Sequence, residues 1–190
     1  MISEKPILII EHLEPELFEW CLIEYKHISK IMGKNNLWLT NIKKKDRKKL
    51  EKFGKILTQS VKNLSLEKAC ILDPEAKSLF NPQKAKLYKY IIIGGILGSF
   101  PSKKRTAREL SSFLPEIKKY HLGKKQMSTD TAVYVAKKII DGSSLHDLKF
   151  QDSPEIKINS VESTILPYRY IRKGKGILIS PALLNYLKKP

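Results

Sequence analysis

Cysteine is scarce in this chain of 190 residues: Cys21 and Cys70 are the two present, and no CxxC pair occurs. This usage argues against a disulfide framework and a zinc knuckle, and it is typical of a reducing compartment. The longest apolar run, 90–97, is too short to span a bilayer. No apolar segment with a cleavage site follows Met1, as it would in a signal peptide. We therefore expect a soluble, cytoplasmic protein with no membrane partner.

Several catalytic signatures are also missing. Residues 94–98 read GGILG rather than GxGxxG, and no GxxxxGK[ST] motif occurs, so P-loop nucleotide hydrolysis is unsupported. There is no HExxH motif, and the histidines lack the spacing of metal ligands, so we expect no metal. A GxSxG nucleophile elbow is absent as well. The chemistry that remains is that of a ligand held mainly by backbone.

Positive charge is what the sequence has in excess, with 36 lysines and arginines against 19 acidic residues and a net charge of +17. Such a field attracts polyanions, of which RNA or a ribosome comes first. A lysine-rich surface that is merely solvated is the alternative. Acids nevertheless outnumber bases in residues 1–24, where a single lysine stands against Glu4, Glu11, Glu14, Glu16, Glu19 and Glu24.

Short apolar runs alternate with segments of helical periodicity along most of the chain. The runs predict strands over 6–10, 36–40, 69–72, 90–93 and 117–121, and the periodicity predicts helices over 17–31, 43–56, 105–113 and 128–140. This alternation predicts an α/β domain with a mostly parallel sheet flanked by helices. The pattern weakens after residue 143. We therefore predict a core over residues 1–142 and a C-terminal extension over residues 143–190 that packs on the same domain.

Two glycine loops follow neighbouring strands of the predicted sheet. Gly94, Gly95 and Gly98 come directly after the strand over 90–93, and the segment 123–130 joins the next strand to a helix. Glycines at the carboxyl end of a parallel strand let a ligand approach the main chain closely. Two such loops predict a crevice for a small molecule, although a pair of tight turns is the alternative.

The residues that fill these loops closely resemble one family of SPOUT methyltransferases. It was once described as predicted RNA methyltransferases, and its eukaryotic member is a protein-arginine methyltransferase acting on a small-subunit ribosomal protein. The resemblance rests on 94–98, Pro101, 105–106, 109–110, 122–123 and 125–132 in the loops. It extends, in order along the chain, to 10–12, 19–20, 24–25, 72–74 and 167–170.

The resemblance implies a C-terminal deep trefoil knot in the sheet and a molecule of S-adenosylmethionine bent within it. A sulfonium methyl donor needs no metal, only alignment with a nucleophile. Gly95→Asp is accordingly expected to abolish cofactor binding and leave the fold intact. The chain departs from the family at Ser99 and Ser102, where an acidic residue and a second proline are common. The cofactor-binding residues implied are Leu72, Gly94, Gly95, Ile96, Leu97, Gly98, Leu122, Gly123, Gln126, Met127 and Thr129.

An arginine side chain of a ribosomal protein, free or in a ribosomal subunit, is the first acceptor hypothesis. A guanidinium stays protonated in water, so its site needs carboxylates that orient it and accept charge. Glu11, at a strand end, is the first choice for such a carboxylate. Arg105 is a candidate for contacting the cofactor carboxylate, with an ion pair to Glu109 as the alternative. With Asp130, in the first turn of its helix, these are the candidate catalytic residues.

An RNA base or ribose is the second acceptor hypothesis. Basic runs at 43–49, 103–105, 124–125 and 172–175 suit phosphate contacts, although such runs are usually solvated faces. A knotted RNA-binding module without catalysis is a third. For Tyr168 and Tyr170, core packing and acceptor stacking both remain open, and so do a monomer and a homodimer.

Overall fold

A wholly parallel six-stranded sheet forms the centre of the protein, seen here in a computed structural model that describes residues 5–98 and 101–188. Its strands are β1 (Ile7–His12), β2 (Leu37–Thr40), β3 (Lys55–Ile56), β4 (Ala69–Leu72), β5 (Tyr90–Gly95) and β6 (Lys118–Tyr120). They lie in the order β3-β2-β1-β5-β4-β6. Strands β1 and β5 are therefore neighbours in the sheet although they are not consecutive in the chain. The carboxyl ends of β1, β5 and β4 lie side by side at one edge of the sheet.

Six α-helices and five single turns of 3₁₀ helix connect and cover the strands in the described part of the chain. The helices are α1 (Glu19–Met32), α2 (Arg47–Leu50), α3 (Pro82–Ala85), α4 (Arg105–Glu109), α5 (Thr129–Ile140) and α6 (Pro181–Leu187). The 3₁₀ turns are Lys34–Asn36, Lys44–Asp46, Val61–Asn63, Ser111–Phe113 and Leu145–Asp147.

The central strands are apolar throughout because both faces of the sheet are covered. Along β1, Leu8 and Ile10 join the larger core beneath α1 and α5, whereas Ile9 joins a second core with Leu110 and Leu114. Side chains of successive residues point to opposite faces, so a continuous apolar run fills both cores at once. The same register aligns Ile9 with Ile92 of β5.

Helix α1 presents one face to the core and ends where the sequence predicts. Cys21, Tyr25 and Ile28 are its buried apolar residues, and they recur at helical spacing. Gly33 closes the helix at φ +81°, a conformation that favours glycine. The inner face packs against α5, which brings the first and the last long helices of the core together.

The predicted helix over 43–56 is wrong. Helical structure covers only Lys44–Leu50, as a 3₁₀ turn followed by α2, and Lys55–Ile56 then forms an edge strand beside β2. The reason is the close approach of Gly54 to the backbone of β2: a Cβ there would lie 2.5 Å from the carbonyl oxygen of Leu37. The chain must extend at this point to continue the sheet.

The segment after Gly142 folds on the same core. It contains the antiparallel strands β7 (Phe150–Asp152), β10 (Arg169–Lys173) and β11 (Gly176–Ile177), in the order β11-β10-β7, and the hairpin of β8 (Glu155–Lys157) and β9 (Ser163–Ile165). Ile171 of β10 belongs to the larger core. Helix α6 contacts α1.

The α/β class and the mostly parallel sheet predicted from the sequence are confirmed. The knot and the division of the chain at residue 142 stay predictions. Ser99, one of the two departures from the family, lies outside the described residues. Within those residues, no helix is both long enough and apolar enough to cross a membrane.

Candidate active site

An open cleft lies at the carboxyl edge of the sheet, where the loops after β4, β5 and β6 meet. Nine of the eleven predicted cofactor residues line it: Leu72, Gly94, Ile96, Gly98, Leu122, Gly123, Gln126, Met127 and Thr129. Its floor also includes Ile93 and Ala132, while Lys103 and Lys125 stand at its rim. An apolar floor with backbone-rich walls suits a nucleoside, and a basic rim suits a carboxylate. The residues present therefore fit S-adenosylmethionine.

Gly95 and Leu97 are the two predicted cofactor residues that do not line the cleft. Gly95 lies beneath α1 instead, where a Cβ would lie 2.6 Å from the hydroxyl of Tyr25 and 2.8 Å from a methyl of Ile10. A side chain at this position would disrupt packing beneath α1. We therefore expect Gly95→Asp to destabilise the fold, in contrast to the expectation from the sequence. Leu97 lines a neighbouring pocket instead.

Arg105 lines the cleft, but its guanidinium is engaged by the protein itself. Two of its nitrogens donate to Glu109 at 2.8 and 2.9 Å, one donates to Glu14 at 2.6 Å, and one donates to the Leu13 carbonyl at 2.9 Å. The hydrogen bonds to Glu109, followed by those to Glu14, raise the pKa of Arg105. Of the two alternatives considered for Arg105, the structure contains the ion pair.

Glu14 also holds the first glycine loop in place. The same oxygen that pairs with Arg105 accepts a hydrogen bond from the backbone N–H of Leu97 at 2.8 Å. Arg105 and Glu14 thus fix α4 and the loop after β5 relative to each other. The observed arrangement gives Arg105 a positioning role at the edge of the cleft.

Glu11 does not face the cleft. It is fully buried, and its carboxylate accepts hydrogen bonds from Thr40 and Ser60 at 2.5 Å and from the backbone N–H of Val61 at 3.1 Å. These donors belong to β2 and to the turn beyond β3. The prediction of an acceptor-site carboxylate is corrected here: Glu11 lies at the right strand end, but its side chain ties neighbouring parts of the sheet together.

A smaller pocket adjoins the cleft, and its wall carries a different carboxylate. Ile96 and Gly98 line both spaces, and the pocket is completed by Trp20, Glu24, Leu97, Ser128 and Tyr168. Glu24 is only 4% exposed, and its carboxylate accepts a hydrogen bond from the indole N–H of Trp20 at 3.1 Å. Burial, and then the negative charge of Asp130, raise the pKa of Glu24.

Asp130 lies behind this pocket at the start of α5. One oxygen accepts hydrogen bonds from the hydroxyl of Ser128 at 2.7 Å and the backbone N–H of Thr131 at 2.9 Å. The other lies 2.7 Å from Nδ1 of His27 on α1. Asp130 is buried and does not line either space, so the structure places it as a neighbour of Glu24 rather than as a cleft residue.

Comparison with known proteins identifies the family. Residues 7–190 match the sequence profile of a family described as protein arginine N-methyltransferase SFM1-like. The protein arginine N-methyltransferase SFM1 of Saccharomyces cerevisiae is 36% identical over 200 residues, covering 95% of this chain and 93% of that protein. The chain belongs to the SFM1-like family.

Solved structures of the SFM1-like family share the fold described above. Yeast SFM1 complexed with SAM has a TM-score of 0.88 at 34% identity, covering 96% of this chain and 90% of that one. Its complex with SAH has a TM-score of 0.87 at 33% identity over 96% and 94% of the two chains. Trm10 of Thermococcus kodakaraensis, at 15% identity and a TM-score of 0.57 over 75% and 96%, shares the fold alone. The predicted membership of this methyltransferase family is confirmed.

Trp20 and Glu24 line the smaller pocket although the sequence analysis does not assign them to a site, and Tyr168, for which it leaves core packing and acceptor stacking open, lines the pocket with them. A signal for one of them was present. Glu24 lies at helical spacing between the buried residues Cys21 and Ile28, on the face of α1 that points into the core. A glutamate on a core-facing stripe is rare unless it has a partner, and it therefore indicates a site.

Proposed function

We propose that this chain transfers a methyl group from S-adenosylmethionine to an arginine side chain of a ribosomal protein. One observation carries the proposal: a backbone-walled cleft opens beside a pocket whose buried carboxylate has no lysine or arginine partner among the described residues. The first space suits the donor and the second a cationic acceptor. The similarity to yeast SFM1, named a protein arginine N-methyltransferase and solved with SAM, supports the same reading.

The donor would lie in the cleft against residues from all three loops. Leu72, Ile93 and Met127 offer apolar contacts for an adenine, and Gly94 and Gly123 offer backbone without a side chain. When bound, S-adenosylmethionine supplies a methyl group activated by the positive sulfur. The protein's part is to exclude water and to hold the acceptor nitrogen in line with that methyl group. The described residues contain no group of three side chains that could hold a metal.

A ribosomal substrate is supported by charge on the protein's surface. The run from Lys43 to Lys49 contains six basic residues, each of them exposed. This run lies in a chain of net charge +17, which favours approach to a ribosomal subunit, with contact to its RNA. The cytoplasm is the compartment we propose, since Cys21 and Cys70 are both free thiols. For the oligomeric state, a monomer or a homodimer stays a prediction.

Methyl transfer to purified small ribosomal subunits tests the proposal. The protein is incubated with radiolabelled S-adenosylmethionine, and the product is divided between RNase and protease digestion. We expect the label to survive RNase, to be released by protease and to elute as methylarginine after hydrolysis. Label released by RNase would show that the acceptor is RNA and would contradict the arginine acceptor. Calorimetry with S-adenosylhomocysteine tests the cleft separately, and the absence of binding would contradict the assignment of the donor site.

A further inference from the structure

Two buried carboxylates near the smaller pocket have no lysine or arginine partner in the described part of the chain. Glu24 and Asp130 are 4% and 2% exposed, and neither forms an ion pair with a lysine or arginine in residues 5–98 and 101–188. In the same residues, His27 is the one ionisable base beside either acid, with its Nδ1 2.7 Å from Asp130. The chain has 36 lysines and arginines, so this gap is not a shortage of cations. Buried carboxylates are ordinarily paired, and a ligand cation would complete this pair.

Tyr170 gives a second, independent indication of a missing ligand. Its side chain is fully buried, and its hydroxyl is the one buried polar side-chain atom of the described residues without a hydrogen-bond partner. Burial, and then the charge of Asp130, raise the pKa of Tyr170, the nearby Ser128 hydroxyl lowers it, and Glu24 raises it. Tyr170 does not line the pocket itself, but its hydroxyl lies within electrostatic range of both acids. A buried donor or acceptor is rarely left unpaired in a finished site.

The side chains that line the pocket favour a flat cation. Trp20 and Tyr168 line it together with Glu24, so aromatic rings flank the carboxylate. A guanidinium is planar, stacks on aromatic faces and pairs with a carboxylate through parallel N–H groups, whereas an ammonium is a compact point charge. The indole N–H of Trp20 occupies one oxygen of Glu24 and fixes its orientation. Tyr168 packs on Gly98, where a Cβ would lie 2.7 Å from its ring, so the wall stands directly beside the donor cleft.

Resting on the proposed function, we infer that this pocket binds the acceptor guanidinium and that Glu24 is the catalytic residue that pairs with it and accepts its proton. One N–H proton of the guanidinium passes to a carboxylate oxygen of Glu24. The nitrogen lone pair forms the new C–N bond as the C–S bond breaks, with its electron pair left on sulfur. Glu24 then releases the proton to solvent as methylarginine leaves. Asp130 supplies a second negative charge behind the site, held in place by Ser128 and His27.

Isosteric variants separate acceptor binding from donor binding. Glu24→Gln keeps the size of the side chain and removes its charge, Tyr170→Phe removes the unpaired hydroxyl, and Glu51→Gln changes an exposed glutamate as the matched control. For each protein, methylarginine formation on small ribosomal subunits is measured together with S-adenosylhomocysteine affinity. We expect Glu24→Gln to slow transfer by roughly 100-fold or more and Tyr170→Phe by roughly tenfold. The affinity for S-adenosylhomocysteine should stay within about twofold, because neither side chain lines the cleft.

A small-molecule probe tests the pocket without an acceptor protein. L-argininamide is titrated into protein saturated with S-adenosylhomocysteine, and the fluorescence of Trp20 is followed in a background in which the other tryptophan, Trp38, is replaced by phenylalanine. We expect saturable quenching with Glu24 present and none in Glu24→Gln. An equal response to L-lysinamide would overturn the selection of a guanidinium.

The outcomes distinguish this inference from the proposed function. If the unmodified protein labels arginine and Glu24→Gln does so at the same rate, the function stands and the role of Glu24 is refuted. If Glu24→Gln loses affinity for S-adenosylhomocysteine along with transfer, Glu24 supports the donor site and the inference is again refuted. If the unmodified protein labels RNA or nothing, the proposed function fails. The argininamide titration still decides whether the pocket binds a guanidinium.

Discussion

Glu11 and Glu24 are both buried near the carboxyl edge of the sheet, yet their surroundings are opposite. Glu11 receives three hydrogen bonds from β2 and the turn after β3, and its environment is closed. Glu24 receives the indole N–H of Trp20, lines a pocket and has an elevated pKa because burial is not offset by a cation. A carboxylate surrounded by donors stabilises a fold, whereas one left open to a pocket serves a ligand.

Replacement of Glu11 should produce the largest loss of stability. Glu11→Gln puts an amide N–H₂ among three donors, so at least one buried donor loses its acceptor. We expect the free energy of unfolding to fall by about 3 kcal/mol, measured by urea denaturation. The folded fraction should bind S-adenosylhomocysteine with unchanged affinity, because Glu11 does not line the cleft. Weaker binding of S-adenosylhomocysteine by the folded fraction would show that Glu11 does contribute to the binding site.

An added methyl group in the closely packed region beneath α1 should also lower the stability of the fold. In Gly95→Ala, the new Cβ would lie 2.6 Å from the Tyr25 hydroxyl and 2.8 Å from Ile10, so backbone or α1 must shift. We expect a loss of about 2 kcal/mol in the free energy of unfolding. Gly176→Ala is the matched control, because no atom lies within 4 Å of a Cβ there and its backbone does not have a positive φ. Equal losses for both variants would show that packing under α1 is not the cause.

A substitution in the open cleft should lower the affinity for the cofactor and leave the stability of the fold nearly unchanged. Ala132 lines the donor cleft from the first turns of α5, so Ala132→Phe fills space that the nucleoside requires. We expect the affinity for S-adenosylhomocysteine to fall by roughly tenfold or more, equivalent to at least about 1.4 kcal/mol, in calorimetric titration. The midpoint of thermal unfolding should change little. A variant that binds normally would show that the nucleoside lies elsewhere.

The smallest expected effect is a gain in stability, for a substitution of Glu24. The pKa of Glu24 in the folded protein lies above its ordinary value of 4.5, so the stability that it contributes is complete below that value and is lost as pH rises through the folded pKa. Glu24→Gln should therefore stabilise the free protein by about 1 kcal/mol at neutral pH. The gain should disappear at acidic pH. Urea unfolding at the two pH values measures the difference, and a loss of stability at neutral pH would contradict an unpaired, costly Glu24.

The contrast between these glutamates also shows what a sequence can and cannot predict here. Strand ends and glycine loops follow from local pattern, so β4, β5 and a crevice beside Gly94 and Gly123 are predictable from the residues alone. The individual residues that line the cleft follow from the family resemblance. The direction of a buried side chain is a tertiary property. Glu11 was assigned to the site because it ends a strand, but its partners lie 29 and 49 residues away in sequence.

The helical periodicity of α1 distinguishes Glu24 from the other glutamates near the amino end, whereas a count of charges does not. Grouping Glu24 with five other glutamates near the amino end treated it as part of an acidic region, although its position on the buried stripe of α1 set it apart. The helix predicted over 43–56 failed for a related reason, since the requirement of Gly54 to approach β2 is visible only when the strands are assembled. Long-range packing determines both the environment of Glu24 and the conformation of the chain at Gly54.

The C-terminal segment after Gly142 is fastened to both glycine loops. The start of β10 is joined to the loop before α5 by a hydrogen bond of 2.9 Å from the backbone N–H of Arg169 to the carbonyl of Gln126. Tyr168 rests on Gly98 next to it. A protein shortened after Gly142 would therefore have an acceptor pocket with one wall missing and a donor loop without its clamp. Because Gly98 lines both the cleft and the pocket, displacement of the chain around Tyr168 would change both spaces together.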